Sequence, residues 1–265
     1  MFTLLFSFIF SFSLVQACDF SREVKSVYSL SGSVTLALRD FKLLKNPKLK
    51  GISVFHPIAA KDFSGIYLPG GVFLSHDTIK GLSGSLLFYD ESRELKRIFS
   101  RYPGINAVEI KTRSLAPLQV VEVLEKELRP HLKGCEFSQL TTQLKTQLAE
   151  LKKIVPKNLS ILFLLGLIQN AKLPELVIVQ DGVVKWMLEE KLISTYPSEL
   201  AYVNWSAKIL NALPGNTIRV GLKDSGHMME TKLEKKQQVV NLTYPGTFIP
   251  GSGQVEAMIY LFKNI

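Results

Sequence analysis

The stretch FSQLTTQLKTQLAELKK, residues 137–153, decides the fold of this chain. It contains no Gly or Pro, and Pro156 follows its end, which is where a helix is expected to stop. At 1.5 Å per residue, a helix of this length spans roughly 25 Å. Its apolar stripe recurs at intervals of 4, 4 and 3 residues, the spacing of one helix face, and consists of Leu140, Leu144, Leu148 and Leu151. The pattern predicts one continuous rod near the middle of the chain.

Short apolar runs alternate with amphipathic helical patterns on both sides of this rod. Before it, the expected strands are 24–30, 51–55, 85–89 and 105–110, and the expected helices are 34–43, 74–82, one that starts after Ser92, and 117–128. After it, the expected strands are 160–165, 176–179, 217–222 and 238–242, and the expected helices are 183–190, 205–213 and one that starts at Ser252. Alternation of this kind predicts βα units around parallel sheets.

The predicted fold class is therefore α/β, with two Rossmann-like βα lobes joined by one long backbone helix. The expected organisation is a signal peptide at 1–17, an N-terminal α/β lobe at 18–133, the linking helix at 134–156 and a C-terminal α/β lobe at 157–265. Ligands of open α/β sheets bind beyond the carboxyl ends of the strands. We expect those ends to face each other across a ligand cleft between the lobes.

The first seventeen residues have the composition of a secretory signal. They are apolar and uncharged, a small residue (Ala17) ends them, and charged residues follow at once. The apolar run is too short for a comfortable membrane span, although an uncleaved anchor is the alternative. The chain is therefore expected to be exported.

The two cysteines of the chain leave three alternatives open. Cys18 follows Val-Gln-Ala, which loosely matches a lipobox and predicts lipidation of Cys18. An oxidising compartment also permits a disulfide between Cys18 and Cys135. In the third alternative both thiols are free.

The net charge of +9 would suit anionic ligands, an acidic membrane surface or nucleic acid. Export makes nucleic acid the weakest of these, and the basic residues are scattered, as on an ordinary solvated surface. No catalytic constellation emerges, because Ser33 and Ser252 lack a nucleophile elbow and the glycines form no phosphate-binding fingerprint. We expect no enzyme, no cofactor and no metal site.

Five stretches resemble the helical-backbone substrate-binding proteins of ABC importers, the class that includes vitamin B12, ferric siderophore and haem receptors. They are YSLSGSVTL (28–36), LKGISVF (49–55), GGVFLSHDTIKGLSGSLLFY (70–89), NALPGNTIRVGL (211–222) and IPGSGQVEAMIYL (249–261). Their order and spacing carry the resemblance. The chain departs from the family pattern where Ser83-Gly84 and Pro214-Gly215 replace Pro-Asp, and where Ile249 and Gly253 replace closing arginines. The resemblance therefore indicates a divergent member.

The resemblance implies a cleft lined by the loops that follow the strands. The ligand-binding residues expected there are Ser31, Gly32, Phe55, His56, Tyr67, Tyr89, Tyr202, Trp205 and Tyr244. Aromatic side chains suit planar or bulky ligands because they bury a large area at low entropic cost. His56 and His227 stand beside opposing loops, as axial haem ligands would, but single histidines are usually structural.

The resemblance also implies docking on a membrane permease through one surface glutamate per lobe. Glu91 or Glu94 in the first lobe and Glu230 or Glu234 in the second are the candidates. The expected protein is a monomeric periplasmic or membrane-anchored receptor of an ABC importer, with a cobalamin, ferric siderophore or haem type of ligand. The alternative is an exported structural or sensory protein that keeps the fold without a transporter. An exported hydrolase with a dispersed site is a third hypothesis.

Overall fold

A computed structural model describes residues 17–69, 74–168 and 176–265. The expected signal peptide lies outside the described residues except for Ala17, and so do Gly70 and Gly71. Among the described residues, no helix combines the length and the apolar character needed to cross a bilayer.

The N-terminal lobe is a parallel sheet with helices packed against it. Its elements are β1 (Asp19–Phe20), β2 (Val27–Leu30), α1 (Gly32–Asp40), β3 (Leu49–Ser53), β4 (Ile66–Leu68), α2 (His76–Gly81), β5 (Leu86–Asp90), α3 (Arg93–Phe99), β6 (Asn106–Ile110), α4 (Pro117–Leu128) and β7 (Leu132–Lys133). The sheet order is β4-β3-β2-β5-β6, and every pair in it is parallel. The apolar run of β5 is buried as a parallel strand covered on both faces should be.

Serine side chains start three helices of this lobe. Ser31, Ser75 and Ser92 each accept a hydrogen bond from the backbone N–H three residues later, at the starts of α1, α2 and α3. Such caps satisfy one of the backbone donors that a helix start leaves without a partner. The Ser31 cap lets α1 start directly after β2, at the carboxyl edge of the sheet.

The linking helix α5 (Phe137–Ile154) is continuous over 18 residues, about 27 Å. This confirms the central rod that the leucine spacing predicts. Its buried face carries Phe137, Leu140, Leu144, Leu148 and Leu151, and it packs against α4 and the last helix of the chain. Each fully buried leucine contributes roughly 1.5–3 kcal/mol of hydrophobic stabilisation.

The C-terminal lobe is a mixed sheet. Its elements are β8 (Leu159–Leu165), β9 (Leu176–Ile178), α6 (Gly182–Glu189), β10 (Ile193–Ser194), β11 (Tyr202–Asn204), α7 (Ala207–Ala212), β12 (Ile218–Asp224), β13 (Lys232–Lys236), β14 (Val239–Tyr244) and α8 (Ser252–Asn264). Strands β8, β12 and β14 are parallel, as expected, whereas β9, β11 and β13 run antiparallel to their neighbours. The sequence patterns do not predict β11 and β13. Gln237, with φ of 52°, turns β13 back onto β14 as a tight hairpin.

One hydrophobic core runs through both lobes. The leucines of α5 share it with Ile52 of the first sheet and Leu242 of the second. A core that continues through the linker resists large relative movement, because such movement would separate packed side chains. The fold therefore favours small displacements of the lobes.

Cys18 and Cys135 form a disulfide that joins the beginning of the chain to the start of α5, with Cα atoms 4.4 Å apart. The short antiparallel pair β1–β7 lies beside it. A sulfur in this bond cannot also hold the thioether of a lipid anchor. The disulfide and lipid alternatives for Cys18 therefore exclude each other, and the structure has the disulfide.

Candidate ligand cleft between the lobes

A cleft of about 470 Å³ lies between the two lobes, at the carboxyl ends of β2, β3, β5 and β12. Its volume is within the range of about 300–1,000 Å³ that is usual for small-molecule sites. The first lobe contributes Leu30, Gly32, Ser53, Phe55, His56, Asp90, Glu91, Ser92 and Leu95, and the second contributes Asp224, Phe248 and Ile249. The cleft is thus where the strand order predicts it.

The start of α1 is packed closely against the second lobe. A Cβ atom on Gly32 would lie 2.8 Å from Cγ1 of Ile249, so a larger residue here would force the Ile249 side chain to move. Beside it, the Ser33 hydroxyl donates a hydrogen bond to the carbonyl of Pro250 at 3.1 Å. These contacts fix the width of the cleft on its inner side.

Asp90, the last residue of β5, sits at the floor of the cleft. Its Oδ2 accepts a hydrogen bond from the N–H of Gly32 at 3.4 Å. Its Oδ1 is buried and has no hydrogen bond to any described residue. Burial raises the pKa of Asp90 above its usual value, against the lowering effect of the nearby Ser31 hydroxyl and of the Gly32 N–H. The carboxyl group therefore keeps one acceptor atom unused.

Asp224, at the end of β12, organises the opposite wall. Its Oδ1 accepts hydrogen bonds from the N–H groups of Gly226 at 2.8 Å and Gly246 at 2.9 Å. Its Oδ2 accepts one from the N–H of Phe248 at 3.4 Å. The carboxylate thus holds two loops together and brings Phe248 into the cleft.

His56 is a structural residue, although it borders the cleft. It is 4% exposed, and its Nδ1 lies 2.8 Å from the Thr35 hydroxyl, which donates to Ser29. Burial lowers the pKa of His56 to about 3, although a hydrogen bond with the Leu30 backbone acts in the raising direction. The imidazole is therefore neutral at physiological pH. The described residues contain no group of three or more His, Cys, Asp or Glu that would hold a metal ion.

The two lobes also touch at the mouth of the cleft. The backbone N–H of His227 donates to the carbonyl of Val54 at 3.2 Å, and Nδ1 of the same residue lies 2.6 Å from that oxygen. The Tyr67 ring lies 5.8 Å from the His227 ring. Tyr67 itself donates to the carbonyl of Ile58 at 3.1 Å, so it supports this contact rather than lining the cleft.

Of the nine predicted ligand-binding residues, Gly32, Phe55 and His56 line the cleft, and Ser31 is buried directly behind it. Phe55 is 58% exposed and is the prominent apolar group of the site. Its ring is therefore available to a ligand that enters the cleft.

Two other predicted aromatic residues do not line this cleft. Tyr89 and Trp205 are buried in two separate cores, where they pack against Phe99 and Ile209 respectively. Burial of these large rings is favourable because it removes apolar surface from water.

Tyr202 and Tyr244 lie outside the described lining of the cleft. The Tyr202 hydroxyl donates a hydrogen bond to the Asp181 carboxylate. Burial, and then this hydrogen bond, raise the pKa of Tyr202. The Tyr244 ring packs at a tilt against Tyr260 of α8, with the ring centres 5.3 Å apart.

The sequence patterns single out neither Asp90 nor Ile249 as a ligand-binding residue. Asp90, Asp224 and Phe248 all lie in loops that are expected to line the cleft. Ser92 caps the helix that follows Asp90. The two aspartates share a position that the sequence could have indicated: each is the last residue of a parallel strand.

The four candidate docking glutamates are exposed, with different surroundings. Glu91 lines the cleft, and Glu234 forms an ion pair with Lys232 at 2.7 Å on the edge strand β13. Glu94 lies in the first turn of α3, and Glu230 follows the loop that touches Val54. Glu94 and Glu230 belong to opposite lobes, and neither lines the cleft.

No family model matches the sequence, and no curated protein matches it. Solved structures do match. The periplasmic heme binding protein HutB of Vibrio cholerae is 14% identical, with a TM-score of 0.63, covering 91% of this chain and 98% of that chain. The periplasmic heme-binding protein RhuT from Roseiflexus sp. RS-1 is 14% identical, with a TM-score of 0.62 and coverage of 91% and 97%.

A third match is PiaA of Streptococcus pneumoniae TIGR4, an iron uptake ABC transporter substrate-binding protein whose structure is also known in complex with ferrichrome. It is 12% identical, with a TM-score of 0.56, and the match covers 94% of this chain and 97% of that chain. The matches run over nearly the whole length of each partner. This chain therefore has the fold of the two-lobed, helix-linked periplasmic binding proteins.

Proposed function

We propose that this chain is an exported binding protein that captures a metal chelate or related organic ligand between its lobes and delivers it to the permease of an ABC importer. The ligand types proposed are ferric siderophore, haem and cobalamin. The observation that carries the proposal is the cleft of about 470 Å³, lined from both lobes by loops at the carboxyl ends of strands. The Cys18–Cys135 disulfide supports an oxidising, periplasmic location.

Capture would rest on a small closure around the ligand. Phe55 and Leu95 of one lobe face Phe248 and Ile249 of the other across the cleft, so a ligand between them would bury apolar surface of both. The continuous helix α5 limits how far the lobes separate. A ligand then stabilises the closed arrangement by its differential affinity for that arrangement.

Delivery would rest on Glu94 and Glu230. These carboxylates are exposed and belong to opposite lobes. There they would pair with basic residues of a permease and set the orientation of the complex. Charge-reversal variants Glu94→Lys and Glu230→Lys should keep ligand affinity and lose ligand uptake in cells of the native organism. Uptake that survives both reversals would contradict this docking mode.

The binding proposal is tested by thermal unfolding of the mature chain with ferrichrome, ferrioxamine B, haemin and cyanocobalamin. A ligand at 100 times its dissociation constant stabilises the folded state by about 2.7 kcal/mol. The shift should be reduced in Phe55→Ala and kept in Leu200→Ala. Leu200 is 65% exposed and Phe55 is 58% exposed, so the pair is matched in surface character. No shift with any of the four chelates would overturn the proposal.

A transporter-independent structural or sensory protein is the second candidate. Two of the four candidate glutamates are engaged elsewhere, because Glu234 pairs with Lys232 and Glu91 lines the cleft. This candidate predicts that deletion of the chain leaves uptake of every bound chelate unchanged. Loss of uptake on deletion would rule it out.

A further inference from the structure

The charge of the cleft is opposite to that of the whole chain. The chain carries a net charge of +9, yet the described residues that line the cleft include no Lys or Arg. Its ionisable carboxylic acids are Asp90, Glu91 and Asp224. Clefts lined by charges of one sign concentrate ligands of the other sign. The cleft should therefore disfavour anions although the protein as a whole attracts them.

The start of α1 would otherwise be the natural anion site of the cleft. Helix starts bind anions because their free N–H groups and the helix dipole carry partial positive charge. Here the chain supplies its own anion, since Oδ2 of Asp90 accepts from the N–H of Gly32 and the Ser31 hydroxyl accepts from the N–H of Val34. A carboxylate or catecholate of a ligand would meet a carboxylate at this place.

Asp90 and Asp224 differ in whether a carboxylate oxygen remains free to accept a hydrogen bond from a ligand. Asp224 uses both oxygens for the backbone N–H groups of its own loops. Asp90 has a buried Oδ1 that accepts no hydrogen bond from a described residue. A buried acceptor without a donor is costly, so a ligand that reaches this end of the Asp90 side chain should offer an N–H or ammonium donor rather than another acceptor.

From this geometry we infer that the cleft selects neutral or cationic ligands that present an N–H or ammonium donor to Asp90, and rejects anionic chelates. This rests on the proposed function, whose ligand class it narrows. Within that class it favours cationic and neutral hydroxamate-type ferric chelates over haem, with its carboxylates, and over anionic catecholate chelates.

The test compares two probes that differ by one charge. Ferrioxamine B carries a free ammonium group, and its N-acetylated form lacks it while keeping the same ferric hydroxamate centre. Titration calorimetry with the mature chain should give at least tenfold tighter binding of the ammonium form, a difference of about 1.4 kcal/mol. Raising the salt concentration should shrink this difference, because salt screens charge interactions.

Two variants test whether the cleft carboxylates cause the preference for the ammonium form. Asp90→Asn should reduce the preference for the ammonium form to less than threefold, and Glu91→Gln, an exposed position, should reduce it partly even if Asp90→Asn fails to fold. Asp62→Asn removes the same charge outside this cleft and should leave the preference intact, since Asp62 lines a different depression of the surface.

The outcomes separate this inference from the function on which it rests. Binding of haemin or a ferric triscatecholate as tight as that of ferrioxamine B would overturn the charge selection and leave the receptor proposal standing. An equal preference in the wild type and in the Asp90→Asn and Glu91→Gln variants would overturn the role of these carboxylates. Absence of binding by every probe would overturn both proposals together.

Discussion

Nδ1 of His227 lies 2.6 Å from the carbonyl oxygen of Val54, and this contact joins the second lobe to the first at the mouth of the cleft. The backbone N–H of the same residue donates to the same oxygen at 3.2 Å. At the other end of α1, away from the cleft, Arg39 pairs with Glu256 of α8 at 3.0 Å. Besides the linking helix, the lobes are thus connected at His227 and at Arg39.

The His227→Ala variant should loosen the mouth of the cleft. Loss of one hydrogen bond of this kind costs about 0.5–1.5 kcal/mol. The substitution removes only the side-chain contact, because the backbone N–H of residue 227 still donates to the Val54 carbonyl. Hydrogen exchange should accelerate at residues 54–56 and 226–229, and dissociation of a bound chelate should become faster. His76→Ala, an exposed histidine on α2, is the matched control and should change neither. Equal exchange in both variants would contradict the bridging role.

The free energy of unfolding should depend on pH through the protonation of His56. Its pKa is about 3 in the folded chain and near 6.5 in an unfolded one. The unfolded state therefore binds a proton first as the pH falls, and the folded state loses up to about 1.4 kcal/mol per pH unit between pH 6.5 and 3. Denaturant unfolding of His56→Gln should show a shallower loss across this window, while His76→Gln keeps the slope of the unsubstituted chain. Parallel slopes for all three chains would contradict a buried neutral His56.

The disulfide should be present in the exported protein and should stabilise it. Cys18 and Cys135 are 117 residues apart, and closing a loop of about 100 residues stabilises by about 4.7 kcal/mol in the chain-entropy model. The Cys18→Ser, Cys135→Ser double variant should lose about 2–5 kcal/mol of unfolding free energy. Mass spectrometry should find the two cysteines linked; a diacylglycerol on Cys18 would contradict the pairing.

Substitutions in the linking helix should lower stability only when they fall on its buried face. Leu144 is 2% exposed, and its replacement by alanine should cost about 2–5 kcal/mol because a cavity opens in the core that both lobes share. Lys145, the next residue, is exposed, and Lys145→Ala should stay within about 0.5 kcal/mol of the unsubstituted chain. Similar costs for both variants would mean that α5 is not anchored through this stripe.

The elements that sequence patterns predict well are those with a strong local signal. Helix α4 has the expected bounds, because Pro117 starts it and its apolar face repeats regularly. Strand β13, with the sequence KLEKK, has only Leu233 as an apolar residue, and pairing with β14 holds it in place. A strand that depends on its neighbour leaves no pattern in its own residues.

The site could be placed from sequence, but its chemistry could not. Parallel strands put the cleft at their carboxyl ends, and Phe55 follows from that rule. The sequence does not tell which face of the sheet Tyr89 lies on. The first four residues of β5 are all apolar, so there is no alternation of polar and apolar residues to mark a buried and an exposed face. The role of Asp90 depends on a contact with Gly32, 58 residues away in sequence, which only the packed sheet brings about.

The central claim, that the space between the lobes is the ligand site, is tested most directly by hydrogen–deuterium exchange of the mature chain with and without saturating ferrioxamine B, ferrichrome, haemin or cyanocobalamin. We predict that at least one chelate slows exchange in both lobes at once, at residues 53–56 and 89–92 of the first and 224–227 and 246–249 of the second. Protection confined to one lobe, or no protection by any of the four, would contradict it.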